Sequence, residues 1–135
     1  MIGWELGTHY GLIEWFMSRC GATVNGYTNA IFSGFTTLAL SEILVDVISD
    51  HPTLSGLYHV SSEPISKYDL LLRLKHAYHL DVEVEPHPDF HADRSLDSTR
   101  FRKASGFIPS TWDQMIEALV ADPTPYDQWR DAHAT

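Results

Sequence analysis

The sequence predicts a mixed α/β fold, an α+β arrangement of about five helices and three or four short strands. Two observations lead there. Apolar residues recur at helical spacing in several segments that end at Gly or Pro. Between those segments lie short extended stretches, some alternating and one apolar throughout. The chain has 135 residues, 44% of them hydrophobic, which suits one modest core.

The elements follow in order. Leu12, Ile13, Trp15, Phe16, Met17 and Cys20 share a broad helical face, with Gly21 just past its end. Residues 22–27 read as extended, punctuated by Asn25-Gly26, and Ile31-Phe32 as a second short strand closed by Ser33-Gly34. A helix over 37–49 buries Leu40, Ile43, Leu44, Val47 and Ile48, with Thr36 or Thr37 as N-cap and His51-Pro52 as its stop. Residues 56–61 read as a buried strand, which needs neighbours on both sides. Too few other strands exist to supply them.

Ser66 caps the next helix, with Asp69 resembling a capping box, and Leu70, Leu71, Leu74, Ala77 and Tyr78 face inward. Residues 82–85 alternate as a strand should, and Pro86 and Pro88 break it. Asp97 or Ser98 opens a short helix that Gly106 stops. Thr111 and Gln114 form a capping box before the apolar face of Trp112, Met115, Ile116, Leu119 and Val120. Residues 1–120 form one unit, and 121–135 read as a polar tail.

Charge narrows the function. Nine Lys and Arg stand against 18 Asp and Glu, a net charge of −9. This disfavours nucleic acid and anionic membranes, yet permits a small anion in one basic pocket. Cys20 is the single cysteine, so no intrachain disulfide forms and a reducing compartment fits. No apolar run approaches a membrane span and no signal pattern opens the chain, so cytoplasm is the expected location. The opening M-I-G-W-E-L-G-T-H-Y-G reads as the end of a strand entering a loop, an interior segment of something larger.

The most pointed stretch is D-R-S-L-D-S-T-R-F-R, residues 93–102, one of the few basic concentrations. Arg94 before a helix start suits phosphate oxygens. Equally, the stretch is a capped surface helix with Asp97 pairing to Arg100 and Arg102. His87, Asp89, His91 and Asp93 alternate, but no Cys pair or zinc spacing accompanies them, so no metal site is expected. His76 and His79 read as a solvated helix face. Cys20 reads as a small buried hydrophobe, and Lys67 as solvated, or else aimed at a ligand. Trp4, Trp15, Phe32 and Phe35 read as core or interface. Gly3, Gly7 and Gly11 lack the spacing of a dinucleotide loop, and no Tyr-x-x-x-Lys occurs. No catalytic residue is assigned.

Five ordered segments then add a resemblance: M-I-G-W-E-L-G at 1–7, G-L-I-E-W-F at 11–16, I-F-S-G-F-T-T-L at 31–38, G-L-Y-H-V-S-S-E-P-I-S-K-Y-D-L-L at 56–71 and D-R-S-L-D-S-T-R-F at 93–101. Together they resemble the C-terminal portion of Rossmann-type extended short-chain dehydrogenases/reductases, in the dTDP-4-dehydrorhamnose reductase and NAD-dependent sugar epimerase family. The resemblance implies a substrate-binding portion for a nucleotide sugar, with a place in rhamnose and cell-surface polysaccharide synthesis. The N-terminal Rossmann half of such a parent binds NAD or NADP and carries the catalytic Tyr and Lys. This chain is expected to begin just after the strand that follows the catalytic helix. It is therefore expected to bind no cofactor, to be inactive alone, and to partner that missing half or another chain.

Arg94 resembles the family arginine near the substrate's diphosphate, although Ser95 stands where many relatives have Pro. Ser33 and Thr36 resemble the turn beside the active site. Trp4 resembles the point where the chain leaves the cofactor half and meets nicotinamide or sugar. Lys67 and Tyr68 match the motif with no ligand role assigned. The alternatives are an epimerase or dehydratase fragment, and a non-catalytic binding or assembly module.

Overall fold

The computed structural model describes residues 1–6 and 10–133. Gly7 and the end of the expected tail, residues 134–135, lie outside the described residues. The elements run α1 (Leu12–Met17), β1 (Thr23–Phe32), α2 (Thr37–Asp50), β2 (Ile65–Ser66), α3 (Lys67–Ala77), β3 (Glu83–Arg94), α4 (Thr99–Ser105), α5 (Trp112–Val120) and α6 (Tyr126–His133). This is the mixed α/β fold the sequence predicts.

The three strands form one sheet in the order β2-β1-β3. β1 and β3 run parallel from Thr23 opposite Glu83 to Phe32 opposite Arg94, with an irregularity between Tyr27 and Asn29. β2 adds a short antiparallel pairing at Ile31 and Phe32. Helix α3 packs over β1, and a glycine permits it. A Cβ on Gly26 would stand 2.5 Å from Tyr68 and 2.8 Å from Val84.

Four local expectations are corrected. The stretches at 22–27 and 31–32 are one ten-residue strand. Pro86 and Pro88 do not break the strand after 82. β3 runs through both because it lies at the sheet edge, where a missing N–H costs little. Residues 56–61 are not a strand, since no edge in the described chain adjoins them, and Leu57 is 76% exposed. Residues 126–133, within the segment read as a tail, form α6, which makes six helices among the described residues.

The caps were legible. Thr36 Oγ accepts from the Ala39 amide at 3.3 Å, Ser66 Oγ from the Asp69 amide at 3.0 Å, and Thr111 forms its capping box with Gln114. Gly106 ends α4 at φ 73°, where a side chain would be strained. The core gathers Ile13 and Phe16 of α1, Leu70, Leu71 and Leu74 of α3, and Met115, Ile116 and Leu119 of α5. On α2 only Ile43 is fully buried, whereas Leu44 and Ile48, expected inward, face solvent, as does Val120 of α5. Cys20 is exposed, not buried.

Candidate functional site

A cavity of about 420 Å³ opens where the ends of β1 and β3 meet the start of α3. Tyr27, Phe32, Leu70 and Phe90 line it, and so do two cations, Lys67 and Arg94. Strand register sets one cation: Arg94 is the last residue of β3 and pairs with Phe32, the last of β1. Helix start sets the other: Lys67 follows the Ser66 cap as the first residue of α3.

Among the described residues, neither cation has an anionic partner. Arg94 is exposed, and its guanidinium makes no hydrogen bond or ion pair among the described residues. Lys67 is half-buried, not solvated. Its Nζ lies 4.7 Å from the Trp15 ring centre and 5.2 Å from that of Tyr27. Burial pulls its pKa down from the ordinary 10.5. It also sits at the positive end of a helix dipole, where a cation is disfavoured. Beside it, Tyr27 packs on His87 at 5.4 Å and Phe90 at 5.1 Å between ring centres.

The other two arginines of 93–102 are occupied. Arg102 donates to Ser98 Oγ at 2.8 Å and Glu63 at 3.0 Å. Arg100 donates to the Leu57 carbonyl at 2.9 Å and lies over Tyr58. Neither takes Asp97, whose carboxylate instead accepts the Thr99 amide at 2.8 Å; hydrogen bonds from the Thr99 hydroxyl and amide hold its pKa low. Asp93 likewise serves Ser95, which lowers its pKa.

Of the four residues the sequence proposed for substrate binding, Arg94, Ser33, Thr36 and Trp4, Arg94 alone lines this cavity. Ser33 is buried, and its Oγ accepts the Leu96 amide at 2.8 Å while its carbonyl accepts the Ser62 amide at 2.9 Å. It ties three loops together. Thr36 is spent on capping α2. Trp4 packs edge-on against Tyr78 and carries the Arg130 guanidinium 5.5 Å from its ring centre. Lys67, read from the sequence as solvated or else aimed at a ligand but given no site role, lines the cavity too. Its signal was its place, directly after a helix cap with no carboxylate spaced to neutralise it.

Among the described residues, no three His, Cys, Asp or Glu side chains converge as a metal site. Where β1 turns into α2, two of the amides at the helix start are engaged within the chain. Thr37 N–H donates to the Ile2 carbonyl at 2.9 Å, and Ala39 N–H to Thr36. No helix among the described residues is long and apolar enough to cross a membrane.

No family model and no curated protein matches the sequence. Solved structures do match in fold. A dTDP-4-dehydrorhamnose reductase from Bacillus anthracis, in complex with NADP, superposes with a TM-score of 0.71 at 18% identity, over 87% of this chain and 44% of that one. A UDP-N-acetylglucosamine 4-epimerase from Bacillus cereus gives 0.65 at 13% identity, over 85% and 43%. A dTDP-glucose 4,6-dehydratase from Bacillus anthracis, in complex with NAD, gives 0.59 at 12% identity, over 90% and 41%. Three different reactions thus share this unit of structure. The chain has the fold of part of a Rossmann-type short-chain dehydrogenase/reductase, and it spans under half the length of the nucleotide-sugar enzymes it resembles.

Proposed function

We propose that this chain is the substrate-binding portion of a nucleotide-sugar oxidoreductase, most like dTDP-4-dehydrorhamnose reductase. Arg94 supports the reading above all: an unpaired guanidinium on an apolar cavity, in a chain of net charge −9. A forked guanidinium suits diphosphate oxygens, and apolar walls suit the rest of a nucleotide. In the whole enzyme, NAD(P) bound elsewhere supplies the hydride. This chain's share is to bind and orient the sugar nucleotide.

The rest of such an enzyme also needs a surface to meet. Leu44, Val45 and Ile48 of α2 leave an apolar stripe in solvent. We assign that stripe to a cofactor-binding Rossmann portion, because over half of each fold neighbour lies outside the region this chain matches. Reductase, epimerase and dehydratase readings differ in chemistry that portion supplies.

Two measurements test the reading. The purified chain should turn over no NAD(P)H on a dTDP-4-keto sugar, since it carries neither a Gly-rich loop nor a Tyr-x-x-x-Lys element. It should bind thymidine diphosphate, and Arg94→Met should weaken that binding about tenfold. Turnover by the chain alone, or binding indifferent to Arg94, overturns it.

A further inference from the structure

We propose that Lys67 is a second ligand-binding cation, which with Arg94 grips the diphosphate of a nucleotide whose planar base lies against Tyr27 and Phe90. This rests on the substrate-binding reading and extends it to residues that reading does not use.

The argument is one of placement. Lysine is among the residues least often buried without a partner. Here Lys67 is half-buried at the positive end of α3, and no carboxylate meets its ammonium among the described residues. The nearest acid in sequence is engaged elsewhere: Asp69 accepts the Ser66 hydroxyl at 2.6 Å. In a chain with twice as many acids as bases, ordinary surface design would have paired this lysine. Trp15 and Tyr27 instead hold its Nζ by ring faces, which stabilise the charge without consuming its donors. Those donors stay free for an incoming anion.

The second cation on the same cavity is equally free. Lys67 and Arg94 belong to different elements, so no local turn or cap explains why both line one cavity. A single monovalent anion needs one of them. A diphosphate can use both. The aromatic pair of Tyr27 and Phe90, 5.1 Å apart, supplies a ring surface with Phe90 open to solvent. A charged diphosphate joined to a planar ring matches these features together.

Calorimetric titration of the full chain separates the parts. The probes are inorganic pyrophosphate, thymidine and thymidine diphosphate. Thymidine diphosphate should bind tighter than either piece. Lys67→Met should weaken both phosphate-bearing probes about tenfold and leave thymidine unchanged, while Lys67→Arg keeps most of the affinity. Phe90→Ala should weaken thymidine and thymidine diphosphate but spare pyrophosphate. Circular dichroism confirms that each variant is folded, and Lys67→Gln serves if the Met variant is not. Should Lys67→Met bind thymidine diphosphate within about twofold of wild type, the inference fails. If Arg94→Met still loses binding then, the substrate-binding reading survives. A Lys67→Met variant that loses thymidine as well marks a structural lysine and overturns the inference. No binding by the wild-type chain overturns both.

Discussion

Lys67 and Ser33 are opposite cases of one rule, that a half-hidden polar group must be matched. Ser33 is matched fully: its hydroxyl takes the Leu96 amide and its carbonyl the Ser62 amide. Ser33→Ala therefore strands a part-buried N–H and should cost about 1 kcal/mol in urea unfolding. Ligand binding at Arg94 should survive at temperatures where the variant stays folded. Lys67 is matched only by ring faces, and its folded pKa lies below 10.5 because burial disfavours the charge. Between that lowered value and 10.5 the unfolded chain holds the proton more tightly, so this group makes stability rise with pH across that window. Below it the charged lysine is a constant cost. Lys67→Met should thus be at least as stable as wild type at neutral pH, and the alkaline rise attributable to Lys67 should vanish from the difference between the two curves. A variant clearly less stable at neutral pH would show the ring contacts outweighing desolvation.

The elements most legible in the sequence were those whose ends are written locally. Thr36, Ser66 and Thr111 each announce a helix start, and Gly106 a helix end, because a cap is a matter of three or four neighbouring residues. β3 was not legible, since whether Pro86 and Pro88 end a strand depends on whether it lies at an edge, and that is a property of the sheet. α6 was hidden for a similar reason. Its sequence is polar, and what holds it is tertiary: Arg130 pairs with Glu14 of α1, donates to the Glu5 carbonyl at 2.9 Å and lies over Trp4. Glu14's side chain is only 8% exposed, so Arg130→Met should cost about 3 kcal/mol and release α6, seen as faster amide exchange over 126–130. Asp127, the other partner of Arg130, is 95% exposed, and Asp127→Ala should change stability by under about 1 kcal/mol. Equal effects from the two would mean that charge near α6, rather than the buried pair, holds the helix.

At the scale of the whole molecule, composition correctly described a chain able to build one core, while periodicity misjudged which surface that core would leave uncovered. The stripe of Leu40, Ile43, Leu44, Val47 and Ile48 has the spacing of a buried helix face, yet this chain covers only part of it. Leu44, Val45 and Ile48 remain 53%, 60% and 75% exposed. The same holds for 56–61, apolar enough to read as a buried strand and here left unpaired. Both differences are of one kind: apolar residues at the spacing of a buried face lie in solvent among the described residues, and the proposed Rossmann portion would cover them. The site divides the same way. Arg94 stands out in the sequence by local charge, while its sharing a cavity with Lys67 depends on how β3 meets α3. The uncovered stripe makes a final prediction. Leu44→Gln with Ile48→Gln removes apolar surface from solvent without touching the core, so stability should move by no more than about 0.5 kcal/mol at each position. Wild type should bind a hydrophobic dye and self-associate with rising concentration in sedimentation, and the double variant should do both less, because an apolar patch without its cover seeks any apolar partner. Nucleotide binding should be equal in the two, as neither residue lines the cavity of Lys67 and Arg94. If wild type and double variant sediment alike and take up dye alike, α2 is an ordinary solvated helix and the assignment of its stripe to a docking partner fails.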